Sequence, residues 1–353
     1  MAKVEKRQLG KSDIYTSTIG MGCWSYGGGQ YWGEQSQEDV NRLVQHALDI
    51  GVNLFDTAEM YNDGESEKSL GIALKNRRYE AVICSKVGPS NAYAGTLEEH
   101  CDASLKRLNT DYIDIYMLHW PLDPISIKHF TNDQTKIDCP PTVEEAFSGL
   151  MKLQRMGKIR HIGISNFGIE QTKEAIATGA HITVNEMPYN IISRAIEVDV
   201  LPYCNENNIS ILGSMALQQG LLAGIYSTSK DVPPNQAHSR HFNHESGRGA
   251  SRHGEEGAEI EVFETISKLK EIAAELKIHV AQLSIAWILA KKGISSTLVG
   301  SRNIIELKTN IEAAAISLPD SIIQQIDTIS RPVLDKLGSN PDYYENLKNS
   351  RIR

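Results

Sequence analysis

Short apolar runs alternate with amphipathic stretches along most of the chain. The runs at 18–23, 53–57, 81–87, 113–119, 161–165, 183–187, 209–214 and 296–300 are nearly continuous in Ile, Val, Leu, Met and other small or apolar residues. Such runs suit parallel strands that are covered on both faces. Between them, 37–50 sets Val40, Leu43, Val44, Ala47 and Leu48 on one helical face. Similar spacing at 97–108, 143–156, 170–178, 262–276 and 280–291 predicts further helices. Eight strands alternating with helices predict an α/β fold, either a closed barrel or an open doubly wound sheet.

The glycines choose between these two. An open dinucleotide-binding sheet carries G-x-G-x-x-G after an early strand. Gly20 and Gly22 are present, but the third position holds Ser25, and Gly27, Gly28 and Gly29 follow as a turn cluster. The predicted fold is therefore a (β/α)8 TIM barrel. The weakly alternating segment 6–14, around Gly10, Lys11, Ser12 and Asp13, is expected to be an N-terminal β-hairpin closing the bottom of the barrel. Barrels of this length are commonly one domain, so 1–353 is expected to be a single domain. Two long loops interrupt the rhythm: 121–141, with Pro121, Pro124, Pro140 and Pro141, and the polar stretch 228–259. Long barrel loops commonly act as lids.

Charge and composition narrow the partners. A formal net charge of −8 argues against general attraction to nucleic acid. Five cysteines, none in a CxxC pair, are expected to be reduced thiols. The start MAKVEKRQLG lacks the apolar core of a signal peptide, and no apolar run nears the ~20 residues that span a bilayer. A cytoplasmic protein without a membrane partner is expected, as a monomer or homo-oligomer. His238, His241 and His244 recur at three-residue spacing, with His253 beyond, but without a Cys or a clear carboxylate partner; no metal site is expected.

The residues suited to chemistry sit where strands end. Asp56, Lys86 and His119 recur at intervals of about 30 residues, the length of one strand–helix unit. Each lies at the carboxyl end of a run, the face on which barrel active sites are built. Tyr61 follows Asp56 within one turn. A free tyrosine titrates near ~10, and a neighbouring ammonium lowers that value by favouring phenolate. Lys86 fits that role, Asp56 can hold Lys86, and His119 can orient a carbonyl oxygen toward the Tyr61 hydroxyl. Proton transfer from Tyr61, coupled to hydride transfer from a cofactor, would reduce a carbonyl.

Five segments, DTAEMYNDGESEKSLG at 56–71, Lys86, LHWP at 118–121, GISNF at 163–167 and GSRNIIELKTN at 300–310, resemble the aldo-keto reductase superfamily over nearly the whole chain. The resemblance implies a (β/α)8 barrel, NADPH/NADP+ as cofactor, and a catalytic tetrad of Asp56, Tyr61, Lys86 and His119. It implies that Ser165 and Asn166 meet the nicotinamide carboxamide, as does the next strand's position, usually Gln and here Glu186. An aromatic residue usually stacks on the nicotinamide where this chain has Ser214. Gln219, Gly220 and Leu221 match the loop beside the pyrophosphate. Gly300, Ser301, Arg302, Glu306 and Asn310 match the adenosine end, with Glu306 where Gln is usual.

The last motif has its own physical logic. A helix N-terminus offers free N–H groups to phosphate. Arg302 adds a planar charged fork suited to the 2′-phosphate of NADPH. Trp24, Tyr26, Tyr31 and Trp32 in the first strand-end loop, with Trp120 after His119, are candidate walls for a small carbonyl or alcohol substrate. The expected activity is NADPH-dependent interconversion of a carbonyl (aldehyde, ketone or sugar) and its alcohol. The alternative, also on this fold, is an NADPH-binding regulatory subunit like the potassium-channel β subunits, with slow turnover.

Overall fold

A computed structural model describes residues 4–245 and 251–353. Gly247 and Gly249 of the long polar stretch lie outside the described residues. The chain opens with a hairpin, β1 (Lys6–Gln8) against β2 (Tyr15–Ser17). The expected turn at Gly10–Asp13 is in place, but the returning strand runs on past residue 14 to Ser17. The strand–helix alternation follows: β3 (Ile19–Gly22), α1 (Gln37–Asp49), β4 (Leu54–Asp56), α2 (Glu65–Ala73), β5 (Val82–Val87), α3 (Leu97–Leu108) and β6 (Ile113–Leu118). The first long loop carries two short helices, α4 (Pro124–Ile127) and α5 (Gln134–Asp138), before α6 (Val143–Arg155). Then come β7 (Ile159–Ser165), α7 (Ile169–Ala177), β8 (Ile182–Pro188), α8 (Val200–Glu206) and β9 (Ser210–Ser214). The chain ends with α9 (Glu259–Leu276), α10 (Val280–Ala290), β10 (Ile294–Val299), α11 (Ile304–Glu312) and α12 (Asp320–Leu337).

Strands β3 to β10 close into a parallel barrel in the order β10-β3-β4-β5-β6-β7-β8-β9. The (β/α)8 architecture is the predicted one, with a separate two-stranded hairpin. Helices α2, α8 and α12 fall outside the helical stretches expected from spacing. Among the described residues, no single helix is long and apolar enough to cross a membrane.

Two cores follow from the period of two along each strand. Leu54, Cys84, Ile115, Met117, Val184, Leu212 and Leu298 point into the barrel and pack as one cluster. Leu9 and Ile14 from the hairpin join this cluster and plug the bottom of the barrel. The opposite strand phase, including Ile19, Met21, Phe55, Ile83, Tyr116 and Ile162, packs against the helices. Gly20 and Gly163 lie in the interior phase because a Cβ would fall within 3 Å of neighbouring Leu, Met or Val side chains.

Candidate active site

The interior phase changes chemistry at its top layer. One step beyond Leu54 comes Asp56; beyond Cys84, Lys86; beyond Met117, His119; beyond Gly163, Ser165; beyond Val184, Glu186; and beyond Leu212, Ser214. Each of these six strands thus places one polar group at the carboxyl mouth. Gly22 and Gly300 share this level, and a Cβ on Gly22 would meet only the Gly300 and Val299 backbone, at 3.6 Å or beyond. These two strands thus place no side chain of their own at this level.

Lys86 is fully buried and joins the polar groups together. Its Nζ donates to Asp56 Oδ1 at 2.5 Å and to the Thr57 carbonyl at 3.1 Å. It lies 3.3 Å from the Tyr61 hydroxyl and 3.2 Å from Glu186 Oε2. The expected Asp56–Lys86–Tyr61 cluster is therefore assembled. Tyr61 begins a helical turn whose Asn62 and Asp63 take left-handed φ angles of 50° and 54°, which swings the ring back over the mouth. The His119 ring meets the Tyr61 ring edge-on, with centroids 5.5 Å apart. His119 is held by its backbone N–H to the Val87 carbonyl and by Asn166 Nδ2 on its own carbonyl, at 3.0 and 3.1 Å. Its Nδ1 is buried without a hydrogen-bond partner.

Burial dominates the protonation of the group. It pushes the Tyr61 hydroxyl above the usual phenol range, and the Lys86 charge recovers only part of that rise. The expected net lowering by Lys86 is therefore not what the closed site gives: Tyr61 is held as a neutral phenol. Burial, reinforced by Lys86, drives His119 well below its usual range, so it is a neutral imidazole. Burial alone would lower Lys86, but Asp56 and Glu186 outweigh it and keep the ammonium charged. Burial and the Asp56 charge push Glu186 up to about 8, against the pull of Lys86. Glu186 is thus a second carboxyl on the buried lysine, in addition to its expected place on the cofactor path.

Aromatic rings line the mouth above Tyr61. The Trp24 ring lies 5.8 Å from Tyr61, 5.1 Å from Tyr31 and 5.3 Å, edge-on, from Trp32. Tyr26 of the same loop is completely buried and forms no wall. Trp120 is half-buried, and the Arg351 guanidinium sits 3.7 Å above its ring. Arg351 belongs to a tail that spacing did not single out. It pairs inside the protein with Asp342 at 2.7 Å. Tail and second long loop lock together through Arg240, which donates to the Leu337 and Asn340 carbonyls, and through Arg252 on Glu345. His241 is also consumed structurally, near Ser193, Gln218 and the Ile192 carbonyl. Among the described residues no group of three or more His, Cys, Asp or Glu is placed to hold a metal ion.

The expected dinucleotide path runs from the mouth to α11. Ser165 is buried, and Asn166 takes a left-handed φ of 62° that turns the chain back across the mouth. After Ser214, Met215, Gln218, Gln219 and Gly220 all have positive φ, from 48° to 99°. Such a run is costly for side-chain-bearing residues and is typical of ligand loops. Leu221, beside them, is buried in the core. Asn310 reaches back to Ser301 Oγ at 3.0 Å. Arg302 spans the gap to the first loop, donating to the Glu34 carbonyl at 2.6 Å and to Gln35 Oε1 at 3.2 Å. Glu306 accepts the Arg302 backbone N–H at 2.8 Å and the Asn303 amide at 2.7 Å. Asn303 in turn caps the Ile305 and Glu306 N–H groups. The residues fit a dinucleotide in one further respect: Glu186 Oε2, 3.2 Å from Lys86 Nζ, is a buried polar atom without a hydrogen-bond partner.

The family profile described as "Aldo/keto reductase family" matches residues 18–331. The chain is 30% identical over 340 residues to the NADH-specific methylglyoxal reductase of Escherichia coli, covering 90% of this chain and 96% of that one. It is 30% identical to the aldo-keto reductase YhdN of Bacillus subtilis, covering 95% and 96%. Among solved structures, an aldo/keto reductase from Klebsiella pneumoniae in complex with NADP and acetate superposes with a TM-score of 0.71 at 25% identity, covering 98% of this chain and all of that one. The glycerol dehydrogenase AKR11B4 of Gluconobacter oxydans gives a TM-score of 0.74 at 26% identity, covering 97% and 98%.

Proposed function

The chain belongs to the aldo/keto reductase family of NAD(P)H-dependent oxidoreductases, and we propose that it reduces a small aldehyde or ketone with Tyr61 as proton donor. The observation that carries this reading is the contact of Lys86 Nζ with Tyr61 Oη at 3.3 Å while the same ammonium is bonded to Asp56. A bound nicotinamide supplies the hydride. Tyr61, held as a neutral phenol, gives its proton to the carbonyl oxygen. Lys86 beside it stabilises the phenolate that remains, and Asp56 fixes Lys86 in place. His119, neutral and with an unsatisfied nitrogen, orients the carbonyl toward Tyr61. In the reverse direction Tyr61 accepts the alcohol proton.

Ser165, Asn166 and Glu186 are assigned to the nicotinamide end. Gln219, Gly220 and Leu221 are assigned to the pyrophosphate, and Gly300, Ser301, Arg302, Glu306 and Asn310 to the adenosine. Ser214 offers no aromatic face on which a nicotinamide would stack. Trp24, Trp32 and Trp120 form the apolar walls of the substrate site. Methylglyoxal, on which the Escherichia coli relative is named as acting, is the first substrate to try.

NADPH is the first cofactor reading, on Arg302 and on the NADP-bound structural relative. A second reading, NADH, is favoured by Glu306. Its carboxylate already occupies the Arg302 N–H just ahead of α11, where a 2′-phosphate would bind, and an acidic side chain suits ribose hydroxyls. The test is consumption of NADPH and NADH with methylglyoxal, other aldehydes, ketones and sugars. Turnover of a carbonyl supports the reading. Tight dinucleotide binding without turnover on any carbonyl would favour the regulatory-subunit alternative, and absence of binding would overturn both.

A further inference from the structure

The top layer of the barrel holds one charge more than the proton-donor arrangement uses. Asp56 alone neutralises Lys86, at 2.5 Å. Glu186 enters from β8, across the mouth, and sets a second carboxyl 3.2 Å from the same ammonium. Glu186 is 5% exposed, and its Oε2 has no hydrogen-bond partner. Two buried carboxylates on one ammonium would leave a negative charge uncompensated in a low-dielectric interior, so Glu186, the more loosely held of the two, is stable there in its protonated form.

The groups facing Glu186 can be accounted for strand by strand. Asp56 of β4 and Lys86 and Cys84 of β5 are the ionisable neighbours on one side, with Tyr61 above them. Its register partners on β7 and β9 are Ser165 and Leu212, neither of which carries charge. Cys84 and Tyr61 are pushed up by burial and stay neutral, His119 just past β6 is neutral, and Lys86 stays charged. With a proton on Glu186 the cluster of Asp56, Lys86 and Glu186 has no net charge. Without it, the cluster has one net negative charge, facing the mouth.

We propose that Glu186 is a proton-exchanging counter-charge for the nicotinamide end of the cofactor, protonated beside the uncharged reduced ring and ionised beside the cationic oxidised ring. The inference rests on the dinucleotide reading given above. The exchange is simple in its balance: the Glu186 O–H bond breaks, the proton goes to solvent water, and the electron pair stays on the carboxylate. A glutamine at this position can bond the carboxamide equally well but cannot change its charge. Ionisation is most easily driven near the pH where Glu186 titrates, about 8. Oxidised cofactor therefore binds more tightly as pH rises, with a matching release of protons. Reduced cofactor has no such linkage.

The test measures dissociation constants of NAD+ and NADH, and of NADP+ and NADPH, by fluorescence or calorimetry between about pH 6 and about pH 8. Taking the ratio within each pair cancels titration of the cofactor's own phosphates. The wild type is expected to shift toward the oxidised form by roughly tenfold, the equivalent of one unit of pKa linkage. Glu186→Gln is expected to shift less than about twofold on the same scale. Calorimetry of the wild type in two buffers of different ionisation enthalpy gives a second readout that needs no variant. Proton release is expected with the oxidised form and none with the reduced form. A pH-independent ratio in the wild type, an unchanged slope in Glu186→Gln, or equal proton release with both forms would overturn the inference. Failure of either dinucleotide to bind at any pH would instead overturn the underlying assignment of function.

Discussion

Glu306 Oε2 lies 2.8 Å from the backbone nitrogen of Arg302, so α11 supplies its own anion at the turn where a cofactor phosphate would dock. The Arg302 guanidinium is meanwhile bonded to Glu34 and Gln35 of the first loop. A 2′-phosphate must displace these contacts and approach a carboxylate. Glu306→Gln is therefore expected to strengthen NADPH relative to NADH by roughly tenfold, about 1.4 kcal/mol. Arg302→Ala is expected to weaken NADPH and leave NADH nearly unchanged. Dissociation constants for both cofactors check this, and an unchanged ratio in Glu306→Gln would remove Glu306 from cofactor choice.

Leu9 is completely buried at the bottom of the barrel, in one apolar cluster with Leu54 and Val184. Leu9→Ala removes part of the plug far from the mouth. The expected cost is about 2–5 kcal/mol of stability, as for other large-to-small core changes, with little effect on turnover. Denaturant unfolding followed by circular dichroism reads the first quantity. A loss under about 1 kcal/mol would mean that the hairpin is not part of the folded core.

Glu186 also makes stability depend on pH. Its folded pKa of about 8 lies above the ordinary 4.5. Between those values the folded state keeps a proton that the unfolded chain has lost. Its contribution is therefore full below about 4.5 and is lost as pH rises toward 8, at up to about 1.4 kcal/mol per pH unit. Glu186→Gln is expected to be relatively more stable at the alkaline end, with a flatter profile. Cofactor-free thermal melts across this range decide the matter; parallel profiles for the two proteins would contradict it.

Much of the barrel was legible because its strands are short, apolar and regularly spaced. The hidden helices had different reasons. Helix α2 buries Ser66, Glu67 and Ser69 rather than an apolar stripe, with Glu67 bonded to Ser85 and Arg107. Helix α8 is short and contains a proline. Helix α12 does carry Ile322, Ile326, Ile329 and Val333 at helical spacing, and Pro332 within it obscured the pattern. At the site, strand-end position made Asp56, Lys86 and His119 readable. The contact of Lys86 with Glu186 was not, because it depends on both side chains sharing one interior level. That relation was open to inference from the strand phase, since Glu186 follows Val184 as Lys86 follows Cys84. The placement of Arg351 over Trp120 joins segments far apart in sequence, and no local pattern encodes it.

Tyr61→Phe removes the hydroxyl that delivers the proton and leaves the ring in place. Single-turnover oxidation of bound NADPH or NADH by methylglyoxal, followed by cofactor fluorescence, measures the step without product release. The rate in the variant is expected to be lower by about 10²–10⁴-fold, the usual worth of a positioned general acid, with cofactor affinity unchanged. A variant that reduces the carbonyl within a few-fold of the wild-type rate, with the cofactor equally well bound, would contradict it.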